Sequence, residues 1–209
     1  MAPPADAVIH RPHDLLHLTE PGAVSDEAPA WVRHAVARTP WVVVRRSRAP
    51  EGFVAVGVRG ANRSQRYPMM LPHSMFSDVI APEDLAAVGA ERDAPALRGL
   101  AVARAHLDAC AMPWGPTGSV CFELATGAAT VTPDSDLDVL VRAAVLTPRV
   151  MQGLGELHER LRTVSVRVDC QVETAGGAIA LAELMSASSR VLVKTSAGPD
   201  LMTRAELLA

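Results

Sequence analysis

The stretch Gly118 to Val141, GSVCFELATGAATVTPDSDLDVLV, constrains the fold more than any other part of the chain. It opens on a Gly-Ser pair and runs through an apolar segment closed by Gly127. It then reaches Asp136-Leu137-Asp138 at the head of the apolar run Val139-Leu140-Val141. A glycine lets the backbone approach a ligand closely, and a helix that begins there offers free N–H groups to an anion. Residues i and i+2 of a strand share a face. Asp136 and Asp138 are therefore expected side by side, with Leu137 turned into the core. Two carboxylates on one face repel each other unless a cation lies between them. Such hard oxygen ligands suit Mg²⁺, which takes one or two carboxylates together with substrate phosphates.

A third carboxylate extends the pattern. Ser165 to Val172 reads SVRVDCQV, a strand-like run with Asp169 in its middle, where propensity disfavours an aspartate. If the two strands are neighbours, Asp136, Asp138 and Asp169 make a site for two divalent ions. Such a site clamps the attacking and leaving oxygens of a phosphoryl transfer. Asp-x-Asp by itself commonly marks a turn or a helix cap; Gly118-Ser119 before it and Asp169 after it favour the metal reading. Ser119 reads equally as an N-cap and as a phosphate ligand. Asp134 follows Pro133 and reads as a loop carboxylate. Glu123 and Glu173 lie near the motifs, but their spacing demands no role. Cys170 is expected on the strand face opposite Asp169, as a core thiol.

A Gly-Ser opening a helix, an Asp-x-Asp on a strand and one Asp on a later strand resemble the DNA polymerase β-type nucleotidyltransferase superfamily. Further blocks narrow the resemblance: Arg11 to Leu16 (RPHDLL), Val56 to Gly60 (VGVRG), Arg63 to Arg66 (RSQR), Gly118 to Gly127, Ser135 to Val141, and Arg167 to Thr174 (RVDCQVET). Together they are similar to malonate decarboxylase holo-[acyl-carrier-protein] synthase, the phosphoribosyl-dephospho-CoA transferase. The likeness covers most of the chain in the same order. It implies a donor, 2′-(5″-triphosphoribosyl)-3′-dephospho-CoA, and an acceptor, a serine of the acyl-carrier subunit of malonate decarboxylase, with pyrophosphate leaving. It also implies catalysis by Asp136, Asp138 and Asp169 through Mg²⁺ ions, two in number. Three other readings stay open: a nucleotidyltransferase with another acceptor, a non-catalytic nucleotide-binding module, and a metal-dependent hydrolase using water.

Charge and composition narrow the setting. The net charge is −3 without a long basic run, which argues against a nucleic-acid surface. No charged start followed by an apolar segment marks a secretory signal, and no stretch is long enough to span a membrane. The expectation is a cytoplasmic protein. Cys110, Cys121 and Cys170 form no metal-spaced pair and read as reduced thiols. About half of the 209 residues are apolar but only 3% are aromatic, so Val, Leu, Ala and Met must build the core.

The remaining chain reads as α+β layers. Asp14 is expected to cap a helical turn, Pro29 to Arg38 to form a helix, and Trp41–Val44 with Phe53–Val58 to form a β-hairpin. Arg59-Gly60-Ala61-Asn62-Arg63-Ser64-Gln65-Arg66 carries three arginines. Arg59, Arg63 and Arg66 read either as a solvated turn or as a phosphate patch. Tyr67 to Pro82, rich in Pro and Met, is expected to be an irregular connection. It divides an N-terminal α+β domain (1–80), a possible substrate or carrier binder, from a nucleotidyltransferase-like catalytic domain (81–209). Helices are expected from Pro82, from Pro95 to Cys110 with Leu97, Leu100, Val102 and Leu107 inward, and from Pro148 to Arg162. Two prolines and a glycine in Met112 to Thr117 are poor strand material. Ala178 to Met185 is expected to be helical. Val191–Thr195 reads as a strand stopped at Gly198-Pro199, with Lys194 as a further phosphate ligand. The sheet is expected to be mixed and flanked by helices.

Overall fold

The computed structural model describes residues 10–25, 27–62 and 64–208. The chain divides into two compact units, one ending at Val79 and the other beginning at Ile80.

The N-terminal unit is built on valine-rich strands: β1 (Leu15–Leu18), β2 (Trp41–Val44), β3 (Phe53–Arg59), β4 (Arg66–Pro72) and β5 (Phe76–Ile80). They form one sheet in the order β4-β3-β2-β1-β5, and β1 to β4 are an antiparallel meander. Alternation sends Val42, Val44, Val54, Val56 and Val58 to one face. There Val32 and Val36 of helix α1 (Ala30–Arg38) pack against them. Leu15 to Leu18 is a strand rather than the helical turn expected after Asp14. The Asp14 carboxylate instead accepts the Arg11 amide at 2.7 Å, closing a turn in which His13 has φ 76°. Tyr67 to Ile80, expected to be irregular, supplies both edge strands. An edge needs its N–H groups on one side only, so β4 tolerates Pro68 and Pro72.

The C-terminal unit holds β6 (Trp114–Pro116), β7 (Leu137–Arg142), β8 (Val168–Thr174), β9 (Gly177–Ala180), β10 (Arg190–Thr195) and β11 (Gly198–Thr203), ordered β11-β10-β9-β8-β7-β6. Only β7 and β8 run parallel. A parallel pair needs a crossover, and α4 (Pro148–Leu161) supplies it, started by Pro148 and capped by the Thr147 hydroxyl. Helix α2 (Pro95–Ala109) packs beside α4. Leu97, Leu100 and Leu107 of α2 and Leu154, Leu157 and Leu161 of α4 share one core with Leu137, Val139, Val141, Val172 and Val193. Val102, assigned to the α2 stripe from sequence, is exposed instead, and Ala103 takes the inward place.

Three further expectations are corrected. Trp114-Gly115-Pro116 does form a strand, because β6 is an edge that pairs only with β7. Ala178 to Met185 is not one helix: β9 comes first and a single turn, α5 (Leu181–Leu184), follows. Gly198-Pro199 does not end the sheet: the chain turns at Ser196-Ala197, and Gly198 and Pro199 open β11, which pairs back on β10 before α6 (Arg204–Leu208). Among the described residues no helix is long and apolar enough to cross a membrane. Among the described residues the architecture is mixed α+β with two sheets and six α-helices.

Gly115 shows how tightly β6 is held. A Cβ there would overlap the Pro82 carbonyl group and lie 2.6 Å from the Glu83 amide, whereas a Cβ at Gly89 would meet nothing. Gly115→Ala should lower stability by about 1–3 kcal/mol. Gly89→Ala should leave it unchanged or slightly raised, as read from urea midpoints.

Candidate active site

The site begins at α3 (Gly118–Thr126), which enters from β6 through Thr117. The Thr117 amide donates to the Asp138 carbonyl at 2.8 Å, fastening the start of α3 to β7. Gly118 has φ 63°, a conformation that favours glycine. A Cβ at this position would overlap Asp138 Oδ2 and lie 3.1 Å from its Cγ. The glycine therefore leaves room for the Asp138 carboxylate against the start of the helix. Ser119 is buried directly after it.

Asp138 is half-buried on β7, between Leu137 and Val139, which face the core. Its partner in the parallel ladder is Asp169 of β8. Asp136 sits one residue before β7. Asp138, Asp169 and Lys194 line one cleft of about 890 Å³, together with Arg162, Arg167 and Gln171. Asp169 is engaged by the residue just before its strand: Arg167 Nε donates to Asp169 Oδ1 at 3.1 Å. Among the described residues no three His, Cys, Asp or Glu side chains converge as a metal cluster.

The other predicted residues lie elsewhere. Arg59 and Arg66 face each other across the end of the β3–β4 hairpin, in the N-terminal unit. The turn between them is braced locally. The Ala61 amide donates to Gln65 Oε1 at 2.9 Å, and Arg66 Nη1 donates to the Gln65 carbonyl at 3.2 Å. Arg63 lies outside the described residues. Cys170 is buried, as expected from its alternation with Asp169, and burial pushes its thiol far up.

Glu123, which spacing alone gave no role, proves central. It is buried on α3, and Arg92 clasps it through Nε and Nη2, both at 2.8 Å. Its Oε2 also accepts the amides of Thr130 at 2.8 Å and Val131 at 2.7 Å. The same arginine donates to the Val131 carbonyl, and the Thr130 hydroxyl donates to the Ser119 carbonyl. Burial would raise the Glu123 carboxyl pKa. The hydrogen bonds from Arg92, Val131 and Thr130 outweigh that and hold it below the ordinary range. The helix that carries Gly118-Ser119 is thereby latched to the loop that delivers Asp136 and Asp138. An acid inside the apolar run Val120 to Leu124 was the local signal; its partner Arg92, 31 residues away, left none. Arg167 was detectable by the i, i+2 rule already applied to Asp136 and Asp138.

Two sheets, a glycine-started helix against a strand carboxylate and a cleft lined by residues of both charges define an α+β protein. Family comparison then identifies the particular lineage. Residues 11–82 match the phosphoribosyl-dephospho-CoA transferase MdcG N-terminal domain, and residues 84–205 match the MdcG C-terminal domain. A phosphoribosyl-dephospho-CoA transferase of Pseudomonas fluorescens is 40% identical over 192 residues, covering 92% of this chain and 91% of the relative. One from Pseudomonas aeruginosa is 40% identical, covering 91% of each chain, and one from Azotobacter vinelandii is 39% identical, covering 93% of each. The chain belongs to the phosphoribosyl-dephospho-CoA transferase family. No solved structure matches it.

Two outcomes test this geometry. Glu123→Ala leaves two amides of the 130–131 loop without their acceptor and should cost about 2–3 kcal/mol. Because the folded carboxyl is held below its ordinary value, its stabilisation is complete above about pH 4.5 and is lost as the pH falls through the lowered value. Thermal melts from pH 6 to about pH 3 should show a flatter acid limb for Glu123→Gln than for the parent chain. Gly118→Ala should displace the Asp138 carboxylate and reduce transfer far more than it reduces the melting temperature.

Proposed function

We propose that this chain transfers the phosphoribosyl-dephospho-CoA group from 2′-(5″-triphosphoribosyl)-3′-dephospho-CoA to a serine of the apo acyl-carrier subunit of malonate decarboxylase. The serine oxygen bonds to the α-phosphorus, the bond from that phosphorus to the bridging oxygen breaks, and pyrophosphate leaves. The serine proton passes to a carboxylate of the site or to water. Family membership over more than nine-tenths of the chain carries this reading. The C-terminal unit acts as a nucleotidyltransferase-like catalytic domain.

The donor set suits Mg²⁺: hard carboxylate oxygens, two of them on register-paired residues, Asp138 and Asp169, with Asp136 two residues before the first. Asp138 and Asp169 would hold the ion or ions, and Asp136, which does not converge with them into a three-carboxylate cluster among the described residues, would have to be drawn in. Bound there, Mg²⁺ supplies charge stabilisation on phosphate oxygens and lowers the pKa of an attacking hydroxyl. The chain's own groups do the rest. Gly118 leaves its Cβ space to the Asp138 carboxylate, the start of α3 would present amides to a phosphate, and Lys194 adds a cation to the lining of the cleft. Most of the rate enhancement comes from position and fixed charge, as in phosphoryl transfer generally.

The test is an intact-mass assay of the apo carrier subunit with this protein, Mg²⁺ and the triphosphoribosyl donor. A mass gain equal to phosphoribosyl-dephospho-CoA, abolished by EDTA, is expected. Asp136→Asn and Asp138→Asn should each slow transfer by roughly 10²–10³-fold or more, the loss of several kcal/mol of transition-state stabilisation, with melting curves preserved. Absence of any gain with a competent carrier overturns the acceptor. Near-full activity of either variant overturns the site.

A further inference from the structure

Two carboxylates on register-paired positions of a parallel ladder lie close enough to repel. Asp138 and Asp169 are such a pair. The chain answers part of that repulsion itself. Arg167, the residue just before β8, precedes Asp169 by two, and its Nε lies 3.1 Å from Asp169 Oδ1. The pair is open to solvent, the Arg167 side chain 71% exposed and that of Asp169 40%. The contact uses only Nε; the two terminal nitrogens of the guanidinium carry no hydrogen bond among the described residues. Arg162 and Lys194 line the same cleft, so an anion there would meet three cationic side chains beside the carboxylates.

We propose that Arg167 is a counter-ion with two successive partners. It neutralises Asp169 while no divalent cation is bound. Once a cation takes the Asp169 carboxylate, Arg167 turns its planar fork to phosphate oxygens of the donor's leaving pyrophosphate. This rests on the reading of Asp138 and Asp169 as cation ligands. An exposed single-bond ion pair is weak enough to be exchanged, and a guanidinium fits phosphate oxygens two at a time. Arg167 is thus a competitor of the cation and an ally of the anion. That double role predicts opposite signs in two binding measurements.

Mn²⁺ binding by the full chain, without donor and at low ionic strength, would be followed by electron paramagnetic resonance. Pyrophosphate binding in excess Mg²⁺ would be followed by calorimetry. Arg167→Gln should bind Mn²⁺ about two- to fivefold more tightly and pyrophosphate about tenfold more weakly. Arg167→Lys, which keeps the charge, should fall between. A purely structural ion pair would leave both affinities unmoved or shift them in the same direction, and either result overturns the proposal. Asp138→Asn separates the two levels. If it abolishes Mn²⁺ binding while Arg167→Gln changes nothing, the counter-ion role fails and the cation site stands. If the parent chain binds no Mn²⁺, or Asp138→Asn binds it as well as the parent does, the cation site fails and the counter-ion role with it.

Discussion

The in-register parallel pairing of β7 with β8 is the constraint on which the C-terminal unit depends. It sets Leu137 beside Val168 and Val139 beside Cys170 toward the core, and Asp138 beside Asp169 away from it. Strand periodicity makes this an all-or-none choice, since a slip of one residue would send the carboxylates inward and the apolar side chains out. The hydrophobic core enforces the register: Leu137, Val139, Val141 and Val172 are all but inaccessible to solvent. Helix α4 must cross between the two strands, and its leucines complete the same core. The energy that folds the unit is thus also what holds two like charges together.

The Glu123–Arg92 clasp deals with a different difficulty. The segment from 128 to 135 has no regular secondary structure of its own, yet it links the helix start at Gly118 to the aspartates of β7. Backbone amides of such a segment, once buried, need acceptors. Glu123 provides two from within α3, and Arg92 neutralises it and takes the Val131 carbonyl as well. A buried carboxylate is costly alone and tolerable when every lone pair is used. Here that arrangement ties helix and loop into one piece.

The sequence made much of this legible, and what it hid has common causes. Alternation and glycine placement revealed α3, β7 and β8, and the partition of Asp169 and Cys170 between opposite strand faces. Tyr67–Pro82, Trp114–Pro116 and Gly198-Pro199 hide their strands for one reason: proline reads as a strand breaker, although each belongs to or contains an edge strand. Ala178 to Met185 misled because alanine and leucine favour helix, while pairing with β8 and β10 decided for strand up to Ala180. Val102 and Ala103 are neighbours on a helix, and composition could not tell which one met α4 and the sheet. The role of Glu123 was hidden because its partner, Arg92, lies 31 residues away in the chain. Local patterns show what a residue prefers; only the fold shows what it meets.

Those same prolines carry a consequence for company. Pro68 and Pro72 lie in β4, Pro116 in β6 and Pro199 in β11, so three of the four sheet edges are interrupted where an added strand would seek a continuous row of amides. Proline at an edge is a natural guard against unwanted pairing. A visiting chain, whether another copy or a flexible tail, finds no smooth ribbon to zip onto at these borders. At these three borders, unlike at the proline-free edge β5, contact with a partner would fall to side chains and loops, which can be specific without inviting polymerisation.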